Sequence, residues 1–237
     1  MDENIQKVLT FVSQAFPVQP VGFPIAIAGS FAMYCYMVLV LKKTVDWIPS
    51  DCDIFVPTDD DEAFDTLISC FRSFLRGRKG IWCSPRTFCC KYTHSGHLQR
   101  VTNFKLPGNT RLPVISFIQH PKKKAIRDIV SDFDIDICKV ALYFSGDNPS
   151  FDLDPEVIQA LATATASVTR YFLWKRYGPN PVELSYLVAT YNRMTKYQDR
   201  GFTFINGPDV DCLEDAAQNL ALPPYHTDED ESACSSG

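Results

Sequence analysis

At 237 residues, 46 % hydrophobic and 22 % charged, the chain has the composition of a globular protein with enough residues for one full core, or one core with a helical appendix. A net charge of −5 and a pI near 5.4 argue against indiscriminate nucleic-acid binding, which takes a basic surface, but leave room for a local basic patch. The longest apolar run, Phe31 to Leu41, falls short of the roughly 20 residues that cross a bilayer. No signal-peptide pattern follows Met1-Asp2-Glu3, so the nine cysteines read as reduced thiols in an intracellular, cytoplasmic protein without a membrane partner.

Residues 3 to 15 predict an amphipathic helix, with Ile5, Val8, Leu9 and Val12 at helical spacing. Pro17, Pro20 and Pro24 break it into a loop. Ile25 to Ala28 reads as a short core strand, and Phe31 to about Lys43 as a buried helix with Lys42 and Lys43 complementing its C-terminal dipole. The Gly29-Ser30 turn between them opens a helix, where free N–H groups hold phosphate. Asp51 to Val56 is the next strand. Side chains alternate along a strand, so Asp51 and Asp53 share a face about 7 Å apart. Two such carboxylates repel unless a cation lies between them, and hard oxygen ligands suit a divalent ion such as Mg²⁺.

Thr58 to Glu62 predicts an N-cap and an acidic first turn, followed by a helix burying Phe64, Leu67, Ile68, Phe71, Phe74 and Leu75. Arg72, Arg76, Arg78 and Lys79 cluster at its end, before Gly80. They either complement the dipole or meet a triphosphate or polynucleotide. Two strands follow, Thr87 to Tyr92 and Leu98 to Leu106. Cys83, Cys89, Cys90, His94 and His97 lie close there, but their spacing fits no standard zinc finger, and Cys89 and Cys90 would face opposite ways. Leu112 to Ile118 reads as another strand, and His120-Pro121 starts a short helix with Lys122, Lys123, Lys124 and Arg127. Phe133 to Leu142 reads as a strand with Asp134 and Asp136 on one face. Two acids on an otherwise apolar strand are costly unless they have a task.

From Asp154-Pro155 the pattern turns helical: a long helix through Val157, Leu161, Ala164, Val168 and Phe172, then a second from about Pro181 to Arg200 with Gly201 as C-cap. Beyond Pro208 periodicity fades into an acidic tail that reads as disordered.

Ala28-Gly29-Ser30, then Asp51-Cys52-Asp53, then Phe133-Asp134-Ile135 resembles the minimal nucleotidyltransferase superfamily, built on the DNA polymerase β catalytic fold. The match spans roughly residues 22 to 145. Arg193-x-x-Lys196-Tyr197-x-x-Arg200-Gly201-Phe202 is similar to the ending of a fungal and large-DNA-virus branch. The spacing from Ser30 to Asp51 is longer than in the smallest members. The resemblance implies an α+β fold, a mixed sheet flanked by helices with a C-terminal helical pair. It divides the chain into a catalytic region (1–150), a helical region (151–207) and a tail (208–237). It implies a metal-dependent transfer of a nucleoside monophosphate from ATP or another nucleoside triphosphate to an acceptor hydroxyl on an RNA end, a protein or a small molecule. Asp51, Asp53 and Asp134 take the catalytic and metal-binding roles, with two Mg²⁺ or Mn²⁺ ions. Asp136 stands where relatives carry Ser or Thr, as an extra ligand, a support for a ligand, or the third carboxylate itself. Gly29 and Ser30 would hold phosphate, and Arg193 and Lys196 would form a cationic wall beside the cleft. The alternatives are a nucleotide-binding module without chemistry, or a protein-interaction module on the same scaffold.

Overall fold

The computed structural model describes residues 3–15, 24–76, 86–92, 97–104, 114–120, 125–145, 148–169 and 181–219. Helix α1 (Glu3–Ala15) buries Val8, Leu9 and Val12, the stripe expected of its helical repeat. Strand β1 (Ala26–Ala28) is buried throughout and turns at Gly29 into α2 (Ser30–Leu39). Phe31 through Met37 are all buried, which uniform apolarity predicts. The helix stops earlier than expected. The Val40 and Leu41 N–H groups both return to the Tyr36 carbonyl, and Lys42 takes a left-handed φ of 55°. Lys43 therefore does not complement α2. Its Nζ donates to the Leu161 and Ala162 carbonyls at 2.7 and 2.8 Å.

Strand β2 (Asp51–Val56) sends Cys52, Ile54 and Val56 into the main core. Helix α3 (Asp61–Arg76) buries Phe64, Leu67, Ile68, Phe71 and Leu75 over it. Within the capping stretch expected there, the cap of α3 is Asp60: Asp60 Oδ1 accepts from the Ala63 N–H at 2.9 Å, and Thr58 Oγ1 from the Asp60 N–H at 3.1 Å. Strands β3 (Arg86–Tyr92), β4 (His97–Phe104) and β5 (Val114–Gln119) follow. The ring of Phe71 lies 4.9 Å from those of Phe104 and Phe117, which ties α3 to β4 and β5. Arg78, Lys79, Gly80, Cys83, His94 and Lys122 to Lys124 lie outside the described residues, as do the side chains of Cys89, Cys90 and His97.

Helix α4 (Ile126–Ser131) packs Ile126, Ile129 and Val130 onto the opposite sheet face, against Ala26, Ala28, Phe55 and Ala141. The segment expected as one strand from Phe133 to Leu142 is not one. A 3-10 turn occupies Asp136–Cys138, and β6 (Ala141–Ser145) starts only afterwards. The cause is Asp136: its Oδ1 accepts from the Ile137 N–H at 2.7 Å and from the Ser167 N–H at 2.9 Å, favouring a turn over a ladder.

With β7 (Asn148–Asp152) these strands form a seven-stranded sheet in the order β3-β4-β5-β2-β1-β6-β7. The β2–β5 pair is parallel and the others antiparallel, so the sheet is mixed and the fold α+β, as expected.

Helix α5 (Pro155–Thr163) ends far short of Phe172. Ala164 is left-handed at φ 54°, and β8 (Thr165–Ala166) leaves the helix to pair in parallel with β9 (Thr203–Phe204). Ser167 and Thr169 are held by Asp136 and by the Asp134 carbonyl, contacts a continued helix would forfeit. Helix α6 (Pro181–Asp199) closes at Gly201, whose φ of 86° suits the glycine C-cap expected there. Helix α7 (Val210–Asn219) corrects the expectation of an irregular stretch after Pro208. Asp209 Oδ1 caps it, accepting from the Cys212 N–H at 2.8 Å. Residues 220–237 lie outside the described set.

Candidate active site

The site is built where α2 begins beside the start of β2. Because Cys52, Ile54 and Val56 go into the main core, Asp51, Asp53 and Phe55 take the opposite face. Across the antiparallel neighbour Asp53 meets Ala28, and across the parallel neighbour it meets Ser116. Two small residues thus flank it. Ser30 Oγ donates to Asp51 Oδ1 at 3.3 Å, joining the first turn of α2 to the carboxylate pair. Gly29 sits at φ 80°, ψ −145°, a conformation close to glycine-only backbone space, and no side chain caps the helix it starts. The leading N–H groups of α2 have no partner within their own helix.

Burial pushes the Asp53 carboxyl up to about 7, and the adjacent Asp51 adds to it. A hydrogen bond from Ser116 and the charge of Lys196 oppose the rise. The pair therefore carries repulsion that a cation would relieve.

Helix α6 supplies the remaining charges. Arg193 Nη2 and Thr190 Oγ1 both donate to Asp134 Oδ2. The Cys138 thiol donates to Tyr197 Oη at 3.0 Å; burial pushes that thiol up to about 12. Arg200 stacks its guanidinium 4.1 Å above the Trp47 ring. Burial lowers the proton affinity of Arg200, while Tyr197 and Asp51 counteract. Its Nη1 is buried with no hydrogen-bond partner among the described residues.

Of the expected site residues, Gly29, Ser30, Asp51 and Asp53 are brought together, with Lys196 among the charges acting on Asp53. Asp134 is held by Arg193 and Thr190. Asp136 is occupied by Ile137 and Ser167. Among the described residues, no group of three or more His, Cys, Asp or Glu side chains converges as a metal-holding set. Asp134 lies just before the 3-10 turn and is tied to α6, and Asp136 opens that turn and is tied to Ser167. Arg193 is tied to Asp134 through Nη2. Sequence reading missed Ser116, a lone hydroxyl in the apolar run Val114-Ile115-Ser116-Phe117-Ile118, and Trp47, which only the tertiary stack with Arg200 reveals.

No protein-family model matches the chain, and no curated protein does. A solved structure of the Thermotoga maritima CCA-adding enzyme complexed with tRNA matches 92 % of this chain at a TM-score of 0.51 and 15 % identity. The fold is of the nucleotidyltransferase type. A structure described as tRNA-processing enzyme complex 3 matches 88 % of the chain at 15 % identity and a TM-score of 0.48. The chain spans 43 % and 46 % of those two chains, less than half of either. Among the described residues, no helix is long and apolar enough to cross a membrane.

Proposed function

We propose that the chain is a metal-dependent nucleotidyltransferase, moving a nucleoside monophosphate from a nucleoside triphosphate to an acceptor hydroxyl. The observation that carries this reading is the Ser30–Asp51 contact, which sets an uncapped helix start against a recessed carboxylate pair. The donor set fits a divalent cation: Asp51 and Asp53 are hard oxygen ligands, and burial first and Asp51 second raise the Asp53 carboxyl. These two residues would hold the ion. When bound, the ion neutralises phosphate charge and orients the triphosphate for in-line displacement. The N–H groups after Gly29 and the Ser30 hydroxyl hold the terminal phosphates. The charges of Lys196 and Arg200 act on the pair, Lys196 on Asp53 and Arg200 with Asp51. The acceptor oxygen bonds to the α-phosphorus as the bond to pyrophosphate breaks, and the hydroxyl proton passes to solvent.

The acceptor classes are an RNA 3′ end, a protein hydroxyl or a small molecule. The Thermotoga maritima enzyme of similar fold is seen with tRNA, which makes an RNA end the first acceptor to screen. The affinity to a fungal and large-DNA-virus branch rests on the Arg193-to-Phe202 motif.

One observation favours a second reading, a nucleotide-binding module without chemistry. Asp134, the expected third carboxylate, is engaged by Arg193 and Thr190.

Calorimetric titration of Mg-ATP and Mg-GTP into the wild type and into Asp51→Ala/Asp53→Ala tests the site. Metal-dependent binding lost in the double variant is the expected result. A folded wild type that binds neither nucleotide would sink both readings. Pyrophosphate release with a supplied acceptor then separates them.

A further inference from the structure

Between α2 and β2 the chain runs from Val40 to Ser50 without helix or strand, and Asp51 follows directly. Contacts near both ends and at its middle hold this loop. Lys43 Nζ donates to the Leu161 and Ala162 carbonyls at the end of α5. The Ser50 carbonyl accepts from the Val114 N–H at 3.0 Å. Between these points the Trp47 ring lies 5.3 Å from that of Tyr34, edge to face, and 4.1 Å from the Arg200 guanidinium. A cavity of about 530 Å³, lined by Tyr34, Val38, Lys42, Thr44, Asp46 and Ile48, lies against the loop. Part of the loop therefore has no close packing beneath it, which leaves its placement to these contacts.

Trp47 stands between the two halves of the candidate site. Tyr34 is one helical turn after Ser30 on α2, and Asp51 is one short stretch of chain after Trp47. Ser30 and Asp51 meet at 3.3 Å, so one indole joins the helix that carries the first to the loop that delivers the second. Arg200 is held in turn. Its guanidinium lies 5.3 Å from the Tyr197 ring, and the Cys138 thiol on the 3-10 turn donates to Tyr197 Oη at 3.0 Å. Arg200 Nη1 is buried with no hydrogen-bond partner among the described residues, so ring faces rather than an acceptor fix that end of the side chain.

We infer that Arg200 is a positioning residue for the nucleotide site: its stack on Trp47 holds the 40–50 loop against α2 and so fixes Asp51 beside Ser30. This rests on the nucleotide-site reading above and names what ties the C-terminal helix to that site. Arg200 acts through the indole. A planar guanidinium covers an aromatic face in a way that a lysine ammonium does not, so lysine at this position keeps the charge and loses the stack. Lys43 anchors the same loop on the far side of Trp47 from Asp51 and does not set the carboxylate.

The test is a double-mutant cycle between Arg200→Met and Trp47→Leu in the full chain. It is read by calorimetry with Mg²⁺ and non-hydrolysable ATP and GTP analogues, and by urea denaturation. Each single variant is expected to weaken analogue binding about tenfold, the scale of a partly desolvated cation–π contact. The double variant should lose no more than either single, because the two residues act as one unit. Arg200→Lys should resemble Arg200→Met, and Lys43→Met should bind as the wild type does. Losses that multiply in the double variant would overturn the inference, since Arg200 would then act independently of Trp47. Full recovery by Arg200→Lys would overturn it too, by assigning the effect to charge alone. Lowered stability at unchanged affinity in Arg200→Met would reduce the stack to a structural contact and sink the positioning role. Trp47→Phe closes the same cycle if the leucine variant does not fold. No analogue bound by a folded wild type would overturn the nucleotide-site reading itself.

Discussion

Arg193 on α6 holds Asp134, which lies just before the 3-10 turn, and Thr190 one helical turn earlier donates to the same carboxylate oxygen. The Asp134 side chain is 15 % exposed and that of Arg193 42 %. The pair therefore sits between a surface bridge and a buried one, and it ties α6 to the segment that leads into the 3-10 turn.

Asp134→Asn separates a structural tie from a metal ligand. With the tie, unfolding stability falls by about 1–2 kcal/mol, within the range for a partly buried charged hydrogen bond, and Mn²⁺ binding persists. Chemical denaturation and Mn²⁺ titration of one sample read both quantities. Lost Mn²⁺ binding at unchanged stability would return Asp134 to the ligand set.

Asp53 makes stability depend on pH in a definite direction. Its carboxyl is raised from 3.8 to about 7 by burial first and Asp51 second. Between those values the folded, metal-free chain holds a proton that the unfolded chain has released. The contribution of Asp53 is thus fully present below about pH 4 and is lost as pH rises to 7. Asp53→Asn should flatten that slope in metal-free thermal melts. Mg²⁺ needs the ionised carboxylate, so its affinity should fall as pH drops through 7.

Gly29→Ala places a side chain at φ 80°. Space is not the obstacle, because an added Cβ would meet Phe133 Cε2 at 3.8 Å. The cost is backbone strain of about 1–3 kcal/mol, together with a displaced helix start. Triphosphate binding should weaken more than tenfold while the circular dichroism spectrum holds. Full binding by the variant would remove the α2 start from the site.

Lys43→Met keeps the side-chain stem and removes the ammonium that caps α5. Leu161 and Ala162 would lose a charged donor at 2.7 and 2.8 Å. The expected loss is about 1.5–3 kcal/mol with nucleotide binding unchanged, since Lys43 touches none of the carboxylates. Urea denaturation beside calorimetry checks both halves.

What the residues reveal by themselves is local. Alternation along Asp51 to Val56 forces two acids onto one face and three apolar side chains onto the other. Uniform apolarity from Phe31 to Met37 forces burial of α2. Gly29 and Gly201 mark backbone turns that other residues enter only at a cost. These readings held because they depend on periodicity and on φ preference, which neighbouring residues set. The failures share another cause. The early end of α5, the turn at Asp136 and the cap at Lys43 all come from hydrogen bonds between segments distant in the chain. A carboxylate on a short apolar segment looks the same in sequence whether it will meet an ion, an arginine or a backbone N–H. Which of these it meets is decided by strand order and register. The parallel pairing of β2 with β5 puts Ser116, and no acid, beside Asp53.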